Sequence, residues 1–293
     1  MLFYKNIEAL SRETHAKLKI EATNKYDFAA DHYWVPLAGV EFFRAAENFP
    51  VVFLNEGDNF VPIALLGLEP TQNLFVDEKS LWREAAYIPA FIRRYPFVLA
   101  STGKDAEEQL TVCLDRDYIG FNDKNGEALF DGKGEATEFL NNAMVFLSNY
   151  NNDMALTQEF VKILQDKKLL ESKTVTITSG SGEKFDVQNV YIINEEAFRA
   201  LEGDVLAELN RKGMLGWVFA HLMSLNNFPQ LFDLFLKAKD GHKEESSKVE
   251  ATKEVLSNKP LPKSSTTKNK SNAKPAGNAR ARARARARAL KSK

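Results

Sequence analysis

The chain is poor in the residues that carry most enzyme chemistry. Among 293 residues there is one cysteine, Cys113, and there are four histidines. A single thiol cannot close an intrachain disulfide, so a disulfide-stapled fold is excluded. Cys113 lies within the apolar run Leu110-Thr-Val-Cys-Leu114, which reads as a strand, and there it reads as a small buried side chain. The histidines, His15, His32, His221 and His242, are scattered. None stands four residues from another and none has a cysteine at ligand spacing, so no metal site is expected. His221, beside Trp217 in an apolar segment, reads as a hydrogen-bonded core histidine.

Other absences narrow the field further. There is no GxGxxG, GxxxxGK[ST] or GxSxG pattern, so no nucleotide cofactor or nucleophile elbow is expected. The acidic, glycine-bearing run from Asp115 to Asp123 has Gly126 where a calcium loop needs its closing glutamate, and it reads as turns. No apolar run approaches the ~18 residues a membrane helix needs. The opening Met-Leu-Phe-Tyr-Lys-Asn-Ile-Glu lacks a basic region followed by a long apolar stretch. A soluble, cytoplasmic protein is the default expectation.

The formal charge of −1 conceals two opposed parts. Residues 241–293 hold fifteen Lys and Arg against four Asp and Glu, a net +11, which leaves −12 on the rest. From Asp240 onward there is no Phe, Tyr, Trp or Ile. Residues 239–293 are therefore expected to be a disordered basic tail, and 1–238 a globular body with a sub-boundary near 136. The tail carries an Arg-Ala repeat: Arg280, Arg282, Arg284, Arg286 and Arg288. Those five charges suit a polyanion, with a salt slope of about −4 on duplex DNA. No aromatic is interleaved for base stacking, and a repeat without a role fits the composition equally.

Periodicity in the body gives the expected fold class, α+β. Leu18, Ile20 and Ala22 alternate with charged residues as a strand does. Residues 38–48 read as a short amphipathic helix with Val40, Phe43 and Ala46 on one face, stopped by Pro50. Runs 51–54 and 60–66 flank Asn-Glu-Gly-Asp-Asn as a hairpin, and 73–76 reads as a third strand. With strands at 108–115 and 128–130, residues 51–130 look like one meandering antiparallel sheet. Thr137 caps a long helix over about 138–168. Its apolar residues form two heptad series: Leu140, Leu147, Met154, Val161 and Ala143, Tyr150, Thr157, Leu164. A stripe of this kind fits a helix lying on a sheet or half of a coiled-coil pair. Tyr150 and Thr157 are poor seam residues, which favours the first. Residues 173–178 and 183–193 form a second hairpin, followed by helices capped at Asn194 and begun at Asp204. Residues 214–225, apolar all round, are expected to be buried. Residues 228–236 add a last amphipathic turn or two.

The densest chemistry is in Trp82-Arg-Glu-Ala-Ala-Tyr87-Ile-Pro-Ala-Phe91-Ile-Arg93-Arg94-Tyr95-Pro-Phe97-Val-Leu-Ala100. Tyr87, Phe91 and Tyr95 recur every four residues, so a helix is expected to give way to a strand at Pro96. Arg93 and Arg94 cannot share a face. One is expected to meet an internal carboxylate, Glu84 or Asp77, and the other to face water. An arginine among aromatics can clamp a carboxylate or phosphate, or simply stack on a ring. Trp82, Tyr87, Arg93, Arg94 and Tyr95 are the candidate ligand-binding residues. No catalytic residue is indicated.

The same segments resemble the bacterial SapC family. The blocks that carry the likeness are Phe3-Tyr-Lys-Asn6, Trp34-Val-Pro-Leu-Ala38 with Glu41-Phe, Phe49-Pro-Val-Val-Phe53 and Pro62-Ile-Ala-Leu-Leu-Gly-Leu68. Asn73-Leu-Phe-Val76, Tyr87 to Phe97, Leu129-Phe-Asp131 and Ala220-His-Leu-Met-Ser-Leu225 continue it in order. The likeness covers about residues 3–236 and leaves out the tail. It implies a non-enzymatic accessory or binding protein related to the bacterial surface layer, with cell-surface association and a surface-layer or protein partner. Some members carry a peptide-permease label, which the lack of a membrane span here contradicts. The family supplies no catalytic residues and no cofactor. Two alternatives stand beside this reading: a cytoplasmic enzyme or small-ligand protein with its pocket at residues 82–97, and polyanion binding through the tail.

Overall fold

The structure is a computed structural model and describes residues 2–101, 110–179 and 182–240. The Arg-Ala repeat and the expected tail beyond residue 240 lie outside the described residues, while residues 239 and 240, expected to open that tail, are helical. In chain order the elements are β1 (Ile7–Ala9), α1 (Arg12–His15), β2 (Lys19–Ile20), β3 (Trp34–Pro36), α2 (Phe42–Ala45), β4 (Val51–Glu56), β5 (Asn59–Leu65), α3 (Ala90–Arg93), β6 (Phe97–Ser101), β7 (Leu110–Asp115), β8 (Phe121–Asn122) and β9 (Glu127–Ala128). They continue with α4 (Glu138–Asp166), β10 (Leu170–Thr178), β11 (Lys184–Ile193), α5 (Glu195–Arg199), α6 (Gly203–Arg211) and α7 (Leu215–Ser224). A last helix, α8, covers 228–240. The class is α+β with antiparallel sheets, as the periodicity predicts.

The β4–β5 hairpin forms where the sequence places it. Val51 pairs with Ala64 and Glu56 with Asn59, and Gly57 takes φ +75° in the turn, a conformation that costs a side chain. The expectation of one meander over 51–130 fails. Among the described residues three sheets form, with strand orders β10-β11-β4-β5-β3, β1-β7-β6 and β8-β2-β9. Strand periodicity tells which residues face inward but not which strand lies alongside. The late hairpin β10–β11 joins the first sheet where Tyr191 pairs with Phe53. The expected strand at 73–76 is a turn. The Asn73 side chain accepts from the Phe75 N–H at 2.9 Å and donates to the Ala29 carbonyl at 3.1 Å, offering the backbone an alternative to a ladder.

The helix expected over 38–48 is also shorter and differently phased. A 3-10 turn at Gly39–Glu41 leads into the single turn of α2. The tighter first turn rotates the face, so Glu41, Phe42 and Ala45 are buried while Phe43 is 56% exposed. Gly39 is required because a Cβ there would lie 2.3 Å from the Trp217 ring.

Helix α4 carries the architecture. Its N-cap Thr137 accepts from Leu140 N–H at 3.4 Å and donates to the Ala128 carbonyl at 2.7 Å. Leu140, Leu147, Tyr150, Thr157, Phe160, Val161 and Leu164 are buried along it. The stripe therefore packs on the chain's own core, not on a second helix of a coiled coil. Its first turns close a small cluster with Leu18, Ile20, Phe97, Leu114 and Leu129. Its later turns join the large cluster, which draws residues from Phe3 to Phe235 and so takes side chains from both sides of residue 136. Helix α7 is not buried all round as expected. Trp217, Val218, Ala220 and His221 face the core, while Phe219 and Met223 are 51% and 64% exposed.

His221 is fully buried between α7 and the first sheet. Its Nε2 accepts from the Ile193 N–H at 3.1 Å, and its ring lies 5.2 Å from that of Phe53. Burial pushes its pKa down to about 3, so it is neutral at ordinary pH. Cys113 is buried in β7, and burial raises its thiol pKa, the opposite of an activated nucleophile.

A paired-arginine site between the first sheets and helix α4

The segment 86–97 is short of helix for a local reason. Pro89 disfavours helical backbone at Ile88, so α3 begins only at Ala90 and lasts one turn. The expected handover to strand then occurs, with β6 starting at Phe97 after a cis Tyr95–Pro96 peptide. The segment is fastened by a buried carboxylate, Glu41, which is not among the candidate ligand-binding residues. Glu41 Oε1 accepts from the Tyr87 hydroxyl and from the Ala90 N–H, both at 2.7 Å, and Oε2 accepts from the Ala38 N–H at 3.1 Å. Burial raises the Glu41 pKa against the pull of these donors and of Arg93. Burial, with the neighbouring Glu41 charge, pushes Tyr87 up to about 12. A lone acid in the otherwise apolar run 37–43 was the available signal.

The two arginines diverge, as their adjacency requires, but neither meets the expected carboxylate. Asp77 Oδ1 is taken by the N–H groups of Lys79 and Leu81, and Glu84 is exposed. Among the described residues no ion pair includes Arg93 or Arg94. Arg93 is exposed. Its Nε donates to the Ile88 carbonyl at 3.0 Å and its Nη2 to the Tyr87 hydroxyl at 3.3 Å. The guanidinium carbon sits 5.2 Å from the centre of the Phe146 ring and 5.8 Å from that of Tyr87. Arg94 turns inward, 4.0 Å from the Phe91 ring centre, 5.1 Å from Tyr150 and 5.8 Å from Tyr4. Its buried Nε has no hydrogen-bond partner. Tyr95 donates to Asp115 Oδ2 at 3.2 Å and stacks on Phe28 at 4.0 Å. Asp115 is fully buried and also accepts the N–H groups of Lys5, Asn6 and Asp117.

Two clefts open on either side of Arg93 and Phe146. The larger, about 360 Å³, runs between the 93–97 segment and α4. Arg93, Arg94 and Tyr95 line it on one side, with Tyr118, Phe139 and Phe146 as aromatic walls. The smaller, about 210 Å³, is bounded by Glu41, Arg44, Tyr87, Arg93, Tyr150 and Asp153. Of the five candidate residues, then, Arg93, Arg94 and Tyr95 come together at one cleft, and Tyr87 reaches Arg93 from the other. Trp82 lines neither; it packs against Tyr26 and Phe75. Phe146, Phe139 and Tyr118 were missed because they enter from elements distant in sequence.

The chemistry on offer is that of holding. Two guanidiniums present N–H donors beside aromatic faces, while Glu41 is occupied by three donors and Glu127 also lines the larger cleft. Among the described residues no group of three or more His, Cys, Asp or Glu is placed to hold a metal ion. No helix among them is long and apolar enough to cross a membrane. Fold and site together define an α+β protein with an arginine-lipped, aromatic-walled cleft. The chain belongs to the SapC family, whose model matches residues 10–231. No curated protein and no solved structure matches it.

Proposed function

We propose that this SapC-family chain is a non-enzymatic accessory protein that binds a small molecule with an anionic head and an apolar body. The head is held by Arg93, with the Arg94 Nε beneath it, and the body lies along Tyr118, Phe139 and Phe146. One observation carries the reading: two adjacent guanidiniums without an ion-pair partner open onto a single aromatic-walled cleft. A guanidinium so placed suits a carboxylate or phosphate, which it can take through two donors at once. The relation to a surface layer rests on the family resemblance, and fractionation that finds the protein only in the cytosol would remove it.

Calorimetric titration of the full chain with phenyl phosphate and with benzoate tests the cleft. A hydrogen bond to a charged group contributes about 1.5–3 kcal/mol, so Arg93→Ala is expected to weaken binding by roughly tenfold to a hundredfold. Equal affinity in the variant would sink the reading.

A further inference from the structure

Strand β10 ends the five-stranded sheet, and its outer edge pairs with no described strand. The opposite end of that sheet is protected. There β3 is three residues long and finishes in Pro36, two of the usual devices that blunt an edge. β10 has neither device: it is nine residues long and lacks proline.

The phase of the ladder shows which groups face outward. Asn194 N–H donates to the Leu169 carbonyl and Ser179 N–H to the Glu183 carbonyl, each at 2.8 Å. Hydrogen-bonding residues alternate along an antiparallel strand. Both bonds therefore assign the odd-numbered residues of β10 to β11. Ser172, Thr174, Thr176 and Thr178 turn their N–H and C=O groups away from the sheet. The one irregularity between the strands does not interrupt this edge. The register steps from Lys173↔Val190 to Val175↔Val187, so the extra residue is on β11, where Asn189 takes φ +58°. Beside β10 lies an apolar cleft of about 370 Å³, walled by Val175, Ile177, Ile192, Leu225, Phe228 and Pro229.

We propose that β10 is a self-association edge, on which two copies of this chain pair antiparallel about a two-fold axis through Val175. A strand is the occupant that a row of outward N–H and C=O groups requires, and this one complements itself. Under that axis Thr174 faces Thr176 of the second copy, and Ser172 faces its Thr178. These are hydrogen-bonded pairs, which give about eight main-chain hydrogen bonds. Val175 meets Val175, and Lys173 lies opposite Ile177, so no like charges face each other. Moving the axis to Lys173 would set lysine against lysine. The axis through Val175 also brings both apolar clefts to one face of a continuous ten-stranded sheet. Helix α4, the other seam the sequence suggests, spends its stripe on the chain's own core.

Sedimentation of the full chain over a concentration series, with two variants, tests the proposal. The wild type is expected to reach twice the chain mass. Thr176→Pro removes an outward N–H and leaves the main-chain ladder to β11 intact, although the Thr176 hydroxyl's bond to Asp186 is lost, so it is expected to stay folded at the single-chain mass with a melting temperature that no longer depends on concentration. Val175→Cys places two thiols across the axis, where facing Cα atoms lie about 4.5 Å apart, within disulfide reach. Mild oxidation is then expected to give a covalent dimer, and this readout decides the matter if Thr176→Pro does not fold. A wild type that stays single at every concentration overturns the proposal. So does a dimer that survives Thr176→Pro, or a Val175→Cys chain that does not cross-link.

Discussion

Removing the Glu41 carboxylate probes the fastening of the arginine segment directly. In Glu41→Ala the N–H groups of Ala38 and Ala90, both buried, lose their acceptor together with the Tyr87 hydroxyl. Each orphaned buried donor costs about 1–3 kcal/mol, so the two N–H groups alone set a loss of roughly 2–6 kcal/mol. For a body of this size that corresponds to a melting temperature lower by roughly 4–24 °C. Glu41→Gln keeps one acceptor and turns an amide N–H₂ towards a backbone donor, so about 1–3 kcal/mol is expected. The pH dependence gives a second readout. The folded pKa of Glu41 lies above its unfolded value, so the folded state holds the extra proton between the two. That contribution is complete below the unfolded carboxylate pKa, about 4.3, and is lost as pH rises through the folded value. Urea denaturation of wild type and both variants at several pH values measures both effects. The reasoning fails if Glu41→Ala stays within about 0.5 kcal/mol of wild type, the ordinary range of surface changes. It fails equally if Glu41→Gln keeps the wild-type decline above that pH.

Three further outcomes are expected. His221 titrates near 3 when folded and near 6.5 when unfolded, so its contribution is present above ~6.5 and lost as pH falls towards 3; His221→Leu should be less stable at neutral pH yet show a flatter acid limb, and superimposable acid curves would refute this. Gly39→Ala drives a Cβ to 2.3 Å from the Trp217 ring, and thermal melts should show a loss of about 1–3 kcal/mol; a neutral result would mean that α7 gives way there. Arg94→Ala removes a guanidinium enclosed by three rings and should cost about 2 kcal/mol in denaturant titrations, against about 0.5–1 for exposed Arg93→Ala; the reverse order would contradict the assigned roles.

Local chemistry was legible in the sequence, and spatial assembly much less so. The caps at Thr137 and Asn194 and both hairpins form where the residues place them, because each is decided within a few positions. The strand expected at 73–76 was lost to one side chain, Asn73, whose two hydrogen bonds outweigh an apolar trio. The helix at 38–48 was misphased because a 3-10 opening at Gly39 rotates everything after it. Sheet membership was illegible for a different reason: Tyr191 beside Phe53 joins residues far apart in the chain, and alternation carries no address. At the site, the arginine pair was visible as a local oddity. Its aromatic walls come from α4 and from Tyr118, and the carboxylate that fastens it comes from the turn before α2.

The binding account is tested most directly by a crystal structure of the full chain grown with phenyl phosphate. The expected result is phosphate oxygen within hydrogen-bond distance of the Arg93 guanidinium, with the phenyl ring between Phe139 and Phe146. A phosphate bound elsewhere while this cleft stays open would contradict the account.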